Sequence, residues 1–148
     1  MNKIMFVCHG NICRSPMAEF IMKEIVRTNN KSDEYYIESS ATSLEEIGND
    51  VYYKAKETLD LHNIPYNKRK ARQITQQDYD EFDYIIIMDY ENLYGIRRII
   101  KDDQKVKRLL SFTNDDRDIS DPWYTRDFEK SYDDIYRGCL ALFSYLNR

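Results

Sequence analysis

Cysteine is scarce and odd in number: three among 148 residues, at positions 8, 13 and 139. That argues against the paired disulfide framework of a small secreted domain. Long apolar runs are missing too. The longest, Ile85-Ile86-Ile87-Met88, falls far short of the roughly 20 residues a membrane helix needs. The segment Met1 to Val7 carries one charged side chain and meets Cys8 too soon for a signal peptide. Neither sign of charge dominates. A net charge of −4 and a pI near 5.3 favour neither nucleic acid nor an anionic membrane as partner. With no repeat and no low-complexity linker, the expectation is one cytoplasmic domain over residues 1–148, large enough to bury a core. The thirteen tyrosines fall mostly in amphipathic patterns and read as packing.

What is present alternates between two periodicities. Lys3 to Val7 is β-rich and stops at Cys8. Ser15 and Pro16 suit the N-cap and first position of a helix, whose apolar face is Ala18, Ile21, Met22 and Ile25. Tyr35 to Ser39 reads as a second strand. Gly48-Asn49-Asp50 opens a helix carrying Val51, Ala55, Thr58 and Leu59, closed before Pro65. Thr75 to Asp78 resembles a capping box. Phe82 to Met88 is continuously apolar, as a central parallel strand should be. Asp89 caps a helix from Tyr90 to about Ile100, Val106 to Leu110 is a fourth strand, and Phe128 to Leu146 is a long final helix. This order predicts a doubly wound α/β domain, a four-stranded parallel sheet flanked by helices. Ligands in such folds lie beyond the carboxyl ends of the strands, where the loop Cys8 to Arg14 falls.

That loop, Cys8-His9-Gly10-Asn11-Ile12-Cys13-Arg14, is built for an anion. Gly10 can take positive φ and Asn11 tolerates it. A turn of this kind into a helix lets successive N–H groups converge, reinforced by the positive end of the helix dipole. Arg14 adds a planar fork for two phosphate oxygens. The same field favours a thiolate at Cys8 and makes it a nucleophile. The loop after the first strand thus reads as a phosphate-binding loop with a thiolate beneath it. Three other readings stay open. A zinc site would need about four ligands; His9 and Cys13 could join Cys8, but His62 and Cys139 lack the paired spacing. A Cys8–Cys13 redox pair is sound chemistry but has no use for Arg14. A buried structural cysteine suits Cys139 better than Cys8.

Displacing an alkoxide from phosphorus requires an acid for the leaving oxygen. Asp121, followed by Pro122, Trp123 and Tyr124, has a fixed backbone and aromatic neighbours that could wall an aryl group. By itself Asp-Pro is an ordinary turn opener.

Together these stretches resemble one known family, the low-molecular-weight protein tyrosine phosphatases. The resemblance rests on Val7 to Pro16 and on Asp121-Pro122-Trp123, with Ala71 to Thr75 and Phe82 to Asp89 between them in order. It covers essentially the whole chain. It implies a monomeric or weakly self-associating cytoplasmic enzyme that hydrolyses phosphotyrosine in proteins without metal or other cofactor. Residue by residue it implies Cys8 as nucleophile, Arg14 as phosphate-binding residue and Asp121 as general acid. Ser15 would stabilise the thiolate and Asn11 hold the loop, with His9, Gly10 and Ile12 completing it. Cys13 matches a second loop cysteine that forms a reversible disulfide with the nucleophile. Ser43, Glu45, Trp123 and Tyr124 fall at the substrate crevice.

Two positions depart from the pattern. Glu45, beside Leu44, stands where many members carry an aromatic wall, and Arg69 stands where some carry a histidine that supports the asparagine network. Arsenate reductases share the first motif but need further cysteines in a later loop, and Phe82 to Leu93 has none. A non-catalytic phosphotyrosine-binding module would have no need of Cys8 and Asp121.

Overall fold

A computed structural model describes all residues from Met1 to Arg148. The strands β1 (Asn2–Cys8), β2 (Tyr35–Ala41), β3 (Tyr84–Ile87) and β4 (Val106–Arg108) form one sheet. Its order is β2-β1-β3-β4, and every pair is parallel. Alternation explains why β1 can be apolar throughout. Ile4, Phe6 and Cys8 enter the larger core, while Met5 and Val7 enter a smaller one on the opposite face. Ile86 and Met88 divide from Ile85 and Ile87 in the same way. Each such fully buried side chain contributes about 1.5–3 kcal/mol.

The helices α1 (Arg14–Thr28), α2 (Tyr53–Leu61) and α6 (Phe128–Leu146) supply the larger core; α3 (Gln76–Glu81) and α4 (Tyr90–Arg97) contribute to the smaller one. A four-residue helix, α5 (Pro122–Thr125), precedes α6. None of these helices is long and apolar enough to cross a membrane. The strand order changes direction at β1, with β2 added on one side and β3 on the other. The loops leaving β1 and β3 therefore open a crevice at the carboxyl end of the sheet.

Several expected boundaries move, each for a visible reason. α1 begins at Arg14 with Cys13 as N-cap and no side-chain cap, so Ser15 is not the cap. α2 starts at Tyr53, not near Gly48, because the intervening backbone is already paired. Gly48 N–H donates to the Ala71 carbonyl at 2.9 Å and Ala71 N–H to the Asn49 carbonyl at 2.7 Å. α4 stops at Arg97. β4 ends at Arg108, and Leu109 to Phe112 wind into a 3₁₀ turn that buries both leucines. The Thr75–Asp78 capping box is present as expected. β2 runs on to Ala41, where an isolated bridge to Gln73 adds one parallel contact at the sheet's edge.

Candidate active site

The loop after β1 curls back over the sulfur of its first residue. Asn11 N–H donates to Cys8 Sγ at 3.3 Å and Ser15 N–H at 3.4 Å. Ser15 Oγ lies 3.1 Å from the same sulfur. One backbone donor from the loop and one from the first turn of a fifteen-residue helix thus converge on one atom, the arrangement of an anion nest. This explains why Ser15 is no N-cap: its hydroxyl serves the sulfur instead.

Asn11, not Gly10, adopts the left-handed conformation, with φ 60°. Its buried amide secures that corner. Nδ2 donates to Ser15 Oγ at 2.8 Å and to Ser39 Oγ at 2.9 Å, and Oδ1 accepts from Arg72 N–H at 3.3 Å. Ser39 Oγ passes the chain on to Glu19 Oε1 at 2.6 Å. Arg69 donates to the Asn11 carbonyl and, at 3.1 Å, to that of Asn49. Burial pulls the Arg69 pKa down, while Glu19 and Cys8 pull the other way. Gly10 has a different use: a Cβ there would come within 3.3 Å of Glu46 Cγ, so the missing side chain admits Glu46 to the rim.

Arg14 is almost wholly buried, at 2% exposure. Nη1 donates to Asp89 Oδ2 at 2.6 Å and to the Ile119 carbonyl at 2.7 Å. Nη2 faces Asp121 Oδ2 at 3.4 Å. Burial opposes the cation, but the charges at Cys8, Asp89 and Asp121 outweigh it and raise the guanidinium's pKa. Asp89 therefore does two jobs, since its Oδ1 also caps α4 through Asn92 N–H at 2.9 Å. Asp121 is the N-cap of α5, its Oδ1 accepting from Trp123 N–H at 3.0 Å. Burial, then the Cys8 charge, pushes the Cys13 thiol upward, so it stays protonated at neutral pH.

Cys8, His9, Gly10, Ile12, Cys13 and Arg14 form the floor of one cleft; Glu45 and Glu46 line one wall, Asp121, Trp123 and Tyr124 the other. Tyr52 supports Trp123 edge-on, with centroids 5.0 Å apart. His9 Nε2 meets Glu45 Oε2 at 3.0 Å across the mouth. Of the residues expected from sequence, Asn11 and Ser15 lie beneath the floor. Ser43 lies behind it, its N–H donating to the His9 carbonyl at 3.0 Å. Glu46 and Asp89 were not foreseen as site residues. Of the other possible metal donors, His62 stacks on Tyr132 at 3.8 Å and Cys139 is buried against the Ala18 carbonyl.

This geometry, a sulfur in a backbone nest beside a fixed arginine and a facing carboxylate, suits phosphoryl transfer. The family profile described as "Low molecular weight phosphotyrosine protein phosphatase" matches residues 3–148. The chain belongs to that family. A low molecular weight phosphotyrosine protein phosphatase of Homo sapiens is 40% identical over 147 residues, covering 93% of this chain and 91% of that one. The low molecular weight protein-tyrosine-phosphatase YfkJ of Bacillus subtilis is 36% identical, covering 100% of this chain and 97% of the relative. Its crystal structure superposes with a TM-score of 0.95 over 99% of this chain and 95% of that one. A low molecular weight protein tyrosine phosphatase from Streptococcus pyogenes gives 0.87 at 41% identity, covering 99% of this chain and 93% of that one.

Proposed function

We propose that this chain is a protein tyrosine phosphatase that works through a phosphocysteine, with Cys8, Arg14 and Asp121 as its catalytic residues. One observation carries the reading: Cys8 Sγ accepts N–H donors from Asn11 and Ser15 beside an arginine held between Asp89 and Asp121. The thiolate attacks phosphorus, an S–P bond forms, and the bond to the tyrosyl oxygen breaks. Asp121 gives its proton to that oxygen. Water then attacks phosphorus and passes a proton to the Asp121 carboxylate, while the S–P bond breaks and the thiolate returns. The nest and Arg14 bind the phosphoryl oxygens throughout, where preorganised donors act most strongly. Trp123, backed by Tyr52, offers the aryl ring a wall.

The physiological partners in this reading are tyrosine-phosphorylated proteins, met in the cytoplasm by a monomer that needs no cofactor. One domain supplying nucleophile, anion cradle and acid supports that. Cys13 is the oxidative partner of Cys8: peroxide converts the thiolate to a sulfenic acid, and the Cys13 thiol condenses with it, releasing water and forming a disulfide. In its support, Cys13 lines the same cleft as Cys8.

The test is hydrolysis of phosphotyrosine and a simple aryl phosphate in the presence of a chelator, with acid-quench trapping of phosphoenzyme. Turnover should persist, label should map to Cys8, and Cys8→Ser should bind phosphate without turning over. Full activity of Cys8→Ser, or activity lost to chelator, would overturn the mechanism.

A further inference from the structure

The stretch from Thr113 to Asp121 has no helix or strand of its own, yet it must hold an acid to within a fraction of an ångström of its task. Ile119 is pinned through both backbone groups. Its N–H donates to the Met88 carbonyl at 3.0 Å, and its carbonyl accepts from Arg14. The residues on either side of Ile119 are gripped from α6. Arg117 Nη1 donates to the Asp118 carbonyl at 3.2 Å. The same guanidinium forks onto Asp134, Nη1 to Oδ2 at 3.1 Å and Nη2 to Oδ1 at 2.9 Å. Ser131 Oγ donates to the Ser120 carbonyl at 3.0 Å. The Asp134 side chain is only 4% exposed and is shared with Arg137. None of these α6 residues, nor Arg117, lines the cleft.

A buried carboxylate is a costly fastening, because its desolvation offsets much of the attraction and an apolar contact would serve stability as well. What a bidentate fork adds is direction. We propose that Arg117 and Asp134 are positioning residues for phosphoryl transfer: their fork orients the backbone at Asp118 and thereby sets where Asp121 stands in the cleft. This rests on the assignment of Asp121 as the acid. Arg14 has its own anchor in Asp89, so loosening the clamp should displace the acid far more than the anion site.

The experiment measures kcat/KM, which reports the first chemical step, over aryl phosphates whose phenols run from weakly to strongly acidic. Arg117→Gln should lower the rate for phosphotyrosine about tenfold or more, since small misplacements of a catalytic group cost up to about 100-fold. For the most acidic phenol, which leaves unprotonated, the change should stay within about threefold. Asp134→Asn should steepen the dependence on leaving-group pKa in the same way, and Arg117→Lys, which cannot fork, should recover only part of the loss. An equal loss for every phenol, in step with a fall in Tm, would make the clamp purely structural and overturn the proposal. Asp121→Asn is the control. If it leaves the dependence unchanged, the acid assignment falls and the positioning claim with it. If it steepens the dependence while Arg117→Gln and Asp134→Asn do not, the positioning claim alone falls.

Discussion

Replacing Asp89 by Asn is a sharp test of how the site holds its arginine. The substitution keeps the shape and leaves an oxygen to cap α4, where Asn caps about as well as Asp. It removes the negative charge 2.6 Å from a buried guanidinium. A hydrogen bond to a charged group is worth about 1.5–3 kcal/mol. Asp121 and the Ile119 carbonyl still face Arg14, which keeps the loss below the roughly 3–5 kcal/mol typical of an abandoned buried charge. In a chain of this size each kcal/mol shifts Tm by about 2–4 °C, so a fall of about 3–12 °C is expected. Asp89→Ala also deletes the cap and should cost about 1 kcal/mol more. Function should fall with stability, for a distinct reason. An arginine no longer tied to Asp89 turns toward Asp121 and presents its fork poorly to phosphate, weakening phosphate inhibition about tenfold, or about 1.4 kcal/mol. The assay pairs thermal melts with inhibition by inorganic phosphate below the melting range. If Asp89→Asn binds phosphate within twofold of the parent and melts within about 2 °C of it, the Ile119 carbonyl and the loop alone fix Arg14.

Three further outcomes follow from other parts of the structure. Cys13→Ser should still catalyse but should lose thiol-dependent recovery after mild peroxide, as Cys8 over-oxidises; peptide maps of the oxidised parent without a Cys8–Cys13 link would reduce Cys13 to packing. Burial acts to raise the pKa of Asp134, but hydrogen bonds from Arg117 and Arg137 outweigh it and hold the carboxyl below its ordinary value. Its contribution is therefore present above about pH 4 and is lost as pH falls through the lower folded value. Urea midpoints of parent and Asp134→Asn should converge on acidification, and a constant gap would refute the assignment. Gly138→Ala would place a Cβ 2.5 Å from Leu109 Cγ; overpacking of about 1–3 kcal/mol should exceed the helix-propensity gain of about 1 kcal/mol, so a variant as stable as the parent would count against this packing.

Much of the fold was legible because burial on both faces leaves a plain trace. β1 and β3 are apolar at every central position, and each residue has a core to enter. The anion loop was legible for a local reason: its donors, its left-handed corner and its arginine lie within eight residues. The places that misled are those where one group serves a distant partner. Ser15 has the chemistry of a cap, and only the return of the loop reveals that its hydroxyl faces Cys8. Asp89 was legible as the cap of α4, but its second oxygen answers an arginine 75 residues earlier in the chain. Gly48 to Asp50 opened no helix because Ala71 and the Arg69 guanidinium claim that backbone. Glu46 reaches the rim only because Gly10 leaves room. The Arg117–Asp134 fork joins an irregular loop to α6, 17 residues on, and has no local signature.

The bridge at Ala41 has a consequence for how the molecule behaves in a crowd. β2 is an edge strand, and open strand edges invite pairing with other chains. At its carboxyl end that edge is occupied: Ala41 N–H donates to the Arg72 carbonyl at 2.8 Å, and Ile74 N–H to the Ala41 carbonyl at 2.8 Å. The opposite edge, β4, is only three residues long and offers little template. The sealing segment is also the one whose Arg72 N–H holds the Asn11 amide and whose guanidinium forks onto Asp78 at the head of α3. The covering of this edge and the shape of the anion loop therefore depend on the same short segment, Arg72 to Ile74. Damage that frees this segment should appear in one sample as lost turnover and as clumping, before the core has melted.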